Sequence, residues 1–398
     1  MLTLQPPGLS DVQDAAALLK GAADLTPCAR SAELSALSGA DVVLKYENLQ
    51  RTGSFKARGA FVKLQSLDAD QRRRGVIAAS AGNHAQGVAY HAQRMGIAAT
   101  IVMPTGTPET KIRCTEQWGA RIELRGQTMA QTFEAARALA NDEGLVFVHP
   151  FDDPQIIAGC GTVALEMLND FPDLDVLIAP VGGGGLISGM ALAAKAINPR
   201  ITVIGAQIAG RDGSTTVAEG IAIPQIGELP QTLINTYVDE IVTVSDPEIE
   251  HALHLCLESL RTVVEGAGAA AVAALLSKRE ALHGKRVGLV LSGGNIDTTL
   301  LSSITARARL NDGRVVRLRV QIVDVPGGLS RVAGLIAENA GNIIEVVHQR
   351  ALRDLPAKCV ALDITVDLRR PNALDAMIEA VRGAGFPCNL LAMTTLHD

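Results

Sequence analysis

Hydrophobic positions in the first three quarters of the chain fall into short apolar runs that alternate with stretches of helical spacing. The runs at 41–46, 75–79, 97–103, 121–124, 145–148, 176–179, 202–206 and 286–291 predict strands. Helical spacing predicts helices at 83–95, 110–118, 128–141, 159–168, 187–197, 247–260 and 267–277. A further helix begins near Ser54 and carries Phe55, Lys56, Phe61, Val62 and Leu64. At the start of the chain, Ser10 and Gln13 have the spacing of a capping box, with a helix continuing to Lys20. Such a rhythm of strand and helix means βαβ units and a mostly parallel sheet covered by helices.

Near residue 310 the pattern changes. Asn311-Asp312-Gly313 is a turn signal, and residues 309–314 read as a linker. Beyond it, Val316, Leu318, Val320 and Ile322 alternate with polar residues, as in a half-buried strand. A helix with Leu329, Val332, Leu335 and Ile336 follows, then strands at 343–348 and 359–366. Another helix holds Leu374, Met377, Ile378 and Val381, and a last strand fits 388–394. The order βαββαβ is the ferredoxin-like split motif. The expected organisation is therefore an α/β domain over 1–308, a linker, and a small domain over 315–398.

Composition narrows the function classes. Of 398 residues, 47% are hydrophobic, which rules out disorder throughout. Only 3% are aromatic, so the core is aliphatic. The formal charge of −6 argues against a general nucleic-acid surface. Cys28, Cys114, Cys160, Cys256, Cys359 and Cys388 form no CxxC pair, which suits isolated reduced thiols in a cytoplasmic protein. No secretory leader pattern opens the sequence. The uncharged stretch 176–194 is nearly long enough to cross a bilayer, but Pro180 and four consecutive glycines make strand, loop and helix the better parse.

Four segments carry chemistry. Gly53-Ser54-Phe55-Lys56-Ala57-Arg58-Gly59-Ala60 puts Lys56 in the first turn of a helix that Ser54 can cap, where the helix dipole disfavours the ammonium. Taken alone, Lys56 is also readable as a solvated surface lysine. Ser80-Ala81-Gly82-Asn83-His84 is a turn of small residues between strand and helix, suited to an anion. Val181-Gly182-Gly183-Gly184-Gly185-Leu186 repeats that setting, and its backbone lets a phosphate approach. It lacks both the third glycine of a dinucleotide site and the lysine of a Walker loop. Leu291-Ser292-Gly293-Gly294-Asn295 follows another strand, and ligands of open α/β sheets bind outside the carboxyl ends of strands.

In this order, GSFKARGA, SAGNHAQG, GGGGL and SGGN resemble the fold-type II pyridoxal-phosphate enzymes. Among these, the sequence is similar to the threonine/serine ammonia-lyases, with serine racemase a near relative. The resemblance covers residues 10–305 and implies a tryptophan-synthase-beta-like fold with two parallel-sheet subdomains, the smaller inserted at about 53–155. The tail, with Asp324-Val325-Pro326-Gly327-Gly328-Leu329 and Gly341-Asn342-Ile343, resembles an ACT regulatory domain. The resemblance implies that Lys56 links to pyridoxal phosphate as a Schiff base. It further implies that Asn83 bonds the ring hydroxyl, Phe55 packs beside the ring, Gly182, Gly183, Gly184, Gly185 and Leu186 hold the phosphate, and Ser292 meets the ring nitrogen. The loop Ser80, Ala81, Gly82, Asn83 and His84 would receive the substrate carboxylate. Asp324, Gly327, Gly328 and Asn342 would hold an amino-acid effector. A homo-oligomer, dimer or tetramer, is also implied, with no nucleic-acid or membrane partner.

The residue types agree with β-elimination. A free lysine has pKa ~10.4, so about one in 2,500 is neutral at pH 7, and burial relieves this. Neutral Lys56 would then remove the Cα proton while the cofactor takes up electrons. The cofactor phosphate would protonate the leaving hydroxyl, and a neutral serine at the ring nitrogen favours prompt elimination. Two departures from the relatives matter. Where a serine would act as the opposite-face acid of a racemase, this chain has Ala81. In the segment where some relatives bind a divalent cation, only Asp212 is acidic, which is a poor Mg²⁺ or Ca²⁺ site, so no metal is expected. Nearby Glu219 is as readily a solvated charge. The expected activity is conversion of L-threonine to 2-oxobutanoate and of L-serine to pyruvate. A lyase for another β-hydroxy amino acid such as 3-hydroxyaspartate, or a catalytically weak amino-acid sensor, stays open.

Overall fold

Every residue of the strands Val76–Ala79, Ala99–Met103 and Val176–Pro180 is buried. Solid apolar runs behave this way when helices cover both faces of a parallel sheet. The computed structural model describes residues 5–210, 216–350 and 355–391. Two compact units, Met1–Asp297 and Thr298–Asp398, make up the chain.

The first unit contains the strands β1 (Cys28–Arg30), β2 (Asp41–Lys45), β3 (Val76–Ala79), β4 (Ala99–Met103), β5 (Arg121–Leu124), β6 (Val146–Phe147), β7 (Val176–Pro180), β8 (Thr202–Ile208), β9 (Glu240–Val244) and β10 (Arg286–Val290). Six of them form one sheet in the order β1-β2-β10-β7-β8-β9, parallel except for β1. The other four form a parallel sheet in the order β5-β4-β3-β6. Small residues let the covering helices approach closely. A Cβ at Gly189 would lie 2.2 Å from the Ile157 carbonyl oxygen, and one at Gly159 would lie 2.7 Å from the Gly59 Cα. Gly189 belongs to the helix Gly185–Ile197, Ile157 and Gly159 to Pro154–Asp170, and Gly59 to Lys56–Gln65.

One polar cluster interrupts this aliphatic core. Arg58, 1% exposed, donates to Glu47 from two nitrogens at 2.8 Å each and to Glu166 at 2.6 and 2.7 Å. Lys45 pairs with Glu166 at 2.6 Å and donates to the Thr26 carbonyl. Burial opposes ionisation of Glu47, but the Arg58 guanidinium holds its carboxyl below the usual range. The cluster pins the helix that begins at Lys56.

Several sequence expectations need correction here. The first helix, Leu9–Leu19, is capped by Gly8, whose N–H donates to Asp11, and not by Ser10 with Gln13. The Lys56–Gln65 helix starts after Phe55, and the buried Ser54 hydroxyl caps nothing. The helix expected at 159 begins at Pro154, because Asp153 accepts from the N–H groups of Gln155 and Ile156. Five α-helices went unread: Ala32–Ser38, Ala69–Arg74, Glu228–Tyr237, Arg279–Leu282 and Thr298–Asn311. Ala69–Arg74 buries no residue and Thr298–Asn311 only Ile304, so neither shows an apolar stripe. Strands β1 and β9 lie at sheet edges and are mostly exposed or half-exposed, which hides them in the same way.

In the second unit the strands are β11 (Val315–Val323), β12 (Gly341–Gln349), β13 (Cys359–Leu368) and β14 (Cys388–Leu390). They form an antiparallel sheet in the order β12-β13-β11-β14, with the helices Gly328–Glu338 and Leu374–Gly383 interleaved in sequence. That is the ferredoxin-like βαββαβ arrangement. Its core joins Leu318, Val320, Leu362, Ile364, Val332, Ile336 and Met377. Regular helix continues to Asn311, so only the turn at Asp312 to Arg314, with Gly313 at φ +66, remains of the segment read as a linker. Residues 392–394 of the expected last strand lie outside the described residues.

Candidate active site

Loops at the carboxyl ends of four parallel strands hold most of the candidate site residues of the first unit. After β3 comes Ser80 to His84, after β6 Val148 to Asp153, after β7 the glycine run, and after β10 Leu291 to Asn295. A fifth segment, ending at Lys56, joins them. Phe55 N–H donates to the Ser292 carbonyl at 3.0 Å, and Gly294 N–H donates to the Gly53 carbonyl at 2.9 Å. These bonds sew the lysine segment to the loop after β10.

Lys56 is the first residue of its helix. Its Nζ donates to the Pro150 carbonyl at 2.7 Å and lies 5.1 Å from the centroid of the Phe55 ring. Burial pulls the ammonium below its usual pKa, against smaller opposing effects of Cys160 and Glu265. The next residue after Pro150 is Phe151, whose ring lies against the glycine run. A Cβ at Gly183 would sit 2.2 Å from Phe151 Cδ1, and one at Gly185 would sit 3.0 Å from Phe151 Cβ. Gly184, at φ +93, precedes the helix Gly185–Ile197, and a Cβ there would meet Pro230 at 2.7 Å. Only a bare backbone fits this space, and a helix N-terminus opens onto it. Leu186 and Ser292 are both buried.

Ser80 accepts a hydrogen bond from Gly82 N–H at 3.2 Å, which shapes the turn before the helix Asn83–Arg94. Ala81 is half-buried against the core. The Asn83 amide is engaged at both ends. Its Nδ2 donates to Glu265 Oε1 at 2.6 Å, and its Oδ1 accepts from Asn295 Nδ2 at 2.6 Å. Asn295 also donates to the Thr52 carbonyl at 2.8 Å. His84 Nε2 lies 3.0 Å from the Val148 carbonyl oxygen, and burial lowers its pKa to about 3. His149 falls to about 4 through burial, and its Nδ1 accepts from Asp152 N–H at 2.8 Å. Both rings are therefore neutral at pH 7. The structure thus brings Lys56, Phe55, Asn83, His84 and Ser292 into one set of connected loops, tied to the glycine run through Pro150 and Phe151.

A family described as pyridoxal-phosphate dependent enzyme matches residues 20–293. The chain belongs to that family. It is 42% identical over 390 residues to an L-threonine ammonia-lyase of Thermotoga maritima, a match covering 94% of this chain and 97% of that one. Among solved structures it is similar to the processed form of threonine deaminase isoform 2 from Solanum lycopersicum, with a TM-score of 0.72 and 32% identity over 78% of this chain and 92% of that chain. It is also similar to maize serine racemase, with a TM-score of 0.72 and 33% identity over 77% of this chain and 99% of that chain. The cofactor of this pyridoxal-phosphate enzyme suits the residues present. They supply a lysine with a lowered pKa, a glycine cradle that any Cβ would fill, and a buried serine at a neighbouring strand end.

Sequence reasoning missed Glu265 and the Pro150-Phe151 pair, and it gave Asn295, within the fourth segment, no role of its own. Glu265 is the N-cap residue of Gly266–Ser277, yet its carboxylate turns to Asn83 and caps nothing. The available signal was an acid directly before the run Gly266-Ala267-Gly268-Ala269, a stretch too small to form a core face alone. For Pro150 and Phe151 the signal was the following Asp153-Pro154, a helix start that turns the preceding residues into a loop.

Other expected residues sit elsewhere. Asp212 lies outside the described residues, and Glu219 is an exposed partner of Lys111 at 2.6 Å. In the second unit, Asp324 pairs with Arg350 at 3.3 Å, and Gly327, at φ +91, precedes the helix Gly328–Glu338. Asn342 does not join them. It pairs with Asp367 in the ladder, whereas Val323, next to Asp324, pairs with Cys359 at the opposite end of β13. Within one chain the two groups cannot share a small ligand, because the whole strand separates them. Among the described residues no helix is long and apolar enough to cross a membrane.

Proposed function

We propose that this chain is a pyridoxal-phosphate-dependent L-threonine ammonia-lyase that also accepts L-serine. The observation that carries the reading is the 42% identity with an L-threonine ammonia-lyase along nearly the whole chain. When bound, pyridoxal phosphate supplies an electron sink that weakens the substrate Cα–H bond. Gly182, Gly183, Gly184, Gly185 and Leu186 would hold the phosphate at the helix N-terminus. Asn83 would hydrogen-bond the ring hydroxyl, Phe55 would pack beside the ring and Ser292 would meet the ring nitrogen. The turn Ser80, Ala81, Gly82, Asn83 and His84 would receive the substrate carboxylate.

Lys56 does the proton work. Its Nζ rests on the Pro150 carbonyl in a buried site that disfavours the ammonium and so favours its use as a base. It takes the Cα proton. Loss of the β-hydroxyl as water, and return of water at the α-carbon with release of ammonia, turns L-threonine into 2-oxobutanoate. Ala81 offers no proton on the opposite face, so elimination outruns racemisation. The six cysteines are all unpaired, which supports a cytoplasmic setting. The ferredoxin-like unit, with Asp324, Gly327 and Gly328 at one turn, would bind an amino-acid effector, and a homo-oligomer would transmit it. The test is a 2-oxo acid assay of the cofactor-loaded protein across threonine, serine and 3-hydroxyaspartate. Threonine as the best substrate supports the reading. Turnover of 3-hydroxyaspartate alone overturns it.

A further inference from the structure

Both ends of the Asn83 amide are occupied, and the two partners are not equivalent. Asn295 Nδ2 can only donate, so it selects the amide oxygen. Glu265 Oε1, at 2.6 Å, selects the amide nitrogen. An asparagine amide has two N–H groups, so one remains for a further acceptor.

The backbone is shaped around this pair. A Cβ at Gly293 would lie 2.4 Å from Glu265 Oε1 and 3.1 Å from Asn83 Nδ2, so only glycine leaves room for the contact. A Cβ at Gly268 would lie 2.4 Å from the Gly293 carbonyl oxygen, which fixes that strand-end turn against the helix carrying Glu265. Glu265 N–H donates to the same carbonyl at 3.0 Å. The carboxyl is costly to keep here. Burial pushes it up to about 7, with the Asn83 hydrogen bond, Lys111 and Lys56 opposing the rise and Glu219 adding to it. A purely structural position would be filled more cheaply by an uncharged side chain.

We propose that Glu265 is a positioning residue that locks the Asn83 amide so that an N–H, and never the carbonyl, faces the cofactor ring oxygen. This rests on the reading of Asn83 as the partner of that oxygen. Its role is to act through Asn83, so its effect must vanish when Asn83 is removed.

The experiment is a double-mutant cycle on cofactor binding. Glu265→Gln keeps size and removes charge, and its amide can present either end to Asn83. Pyridoxal phosphate affinity is measured by titrating the apoprotein, and the visible absorption band of the loaded protein is recorded for wild type, Glu265→Gln, Asn83→Ala and the double variant. We expect Glu265→Gln to weaken affinity about tenfold and to shift the band, as loss of a hydrogen bond to a charged group would. In the Asn83→Ala background the same change should do neither. An equal loss in both backgrounds, or no loss and no band shift in either, overturns the proposal. Should Glu265→Gln fail to fold, Asn83→Asp in wild type replaces it, and a loss no greater than that of Asn83→Ala overturns the proposal, because acid would then face acid without cost. Failure of wild type itself to bind the cofactor would instead strike the functional reading.

Discussion

The turn before Asn83 and the turn after Asp324 share one plan: a strand ends, a short turn holds glycine, and a helix begins. They differ in burial. Around Asn83, His84 is buried and the amide is fixed by two partners from distant segments. Among the described residues Asp324 has one charged partner, Arg350, and the two side chains are 40% and 67% exposed. A buried polar group with fixed partners can perform chemistry because nothing must reorganise during reaction. An exposed ion pair contributes little, is screened by salt, and is easily exchanged for a ligand. Under the proposed function, the same local fold would serve catalysis in one unit and reversible effector binding in the other.

The comparison breaks most readily at Lys56. Lys56→Ala should lower threonine deamination by about 10³-fold or more, since it removes the proposed general base. Near-normal 2-oxobutanoate release by that variant would end the account of the first unit.

A second variant tests burial without touching the chemistry. Arg58→Met leaves the buried Glu47 without its main partner and should cost about 3–5 kcal/mol of stability, read from the denaturant midpoint. The exposed Asp324→Ala change should cost less than about 1 kcal/mol in the same measurement. Equal losses would erase the distinction between the regions.

Acid should separate the units as well. Burial lowers His84 and His91 to about 3 and His149 to about 4, all in the first unit. Unfolded histidines take up protons below about pH 6.5, whereas these do so only near pH 3–4, so stability falls as pH drops through that window. Glu265 works in the opposite sense, since its pKa is raised to about 7, and it offsets one of the three. In the second unit, Arg319 holds the Asp363 carboxyl below its usual range, so that contribution is lost only at lower pH. Thermal scans from pH 7 to 4.5 should show the first unit's transition falling and the second unit's nearly constant.

Smaller effects sharpen the picture. Gly183→Ala should weaken cofactor affinity about tenfold, because its Cβ would meet the Phe151 ring. Ala81→Ser should raise D-serine formation from a trace while pyruvate stays the main product. Chiral chromatography of the products checks this, and D-serine matching pyruvate in wild type would show that the argument from Ala81 fails.

Much of this was legible in the sequence for a physical reason. Strands covered on both faces are continuous apolar runs, so β3, β4, β7 and β10 announced themselves. The strand-end turns needed glycines and small residues, which marked the run Gly182 to Gly185 and the loop at Asn83. What escaped lacked a periodic signature. Ala69–Arg74 and Thr298–Asn311 bury almost nothing. Glu265 reaches Asn83 across 182 positions of sequence, and no local pattern encodes a contact of that range. The separation of Asn342 from Asp324 follows from ladder register, which the alternation of β11 and β13 did not reveal.

The central claim is that Lys56, resting on the Pro150 carbonyl among these loops, carries the cofactor. Borohydride reduction of the pyridoxal-phosphate-loaded protein, followed by proteolysis and mass mapping, tests it most directly. The account predicts one stable pyridoxyl-phosphate adduct, on Lys56. An adduct on another lysine, or a label spread over surface lysines with Lys56 unmodified, would contradict it.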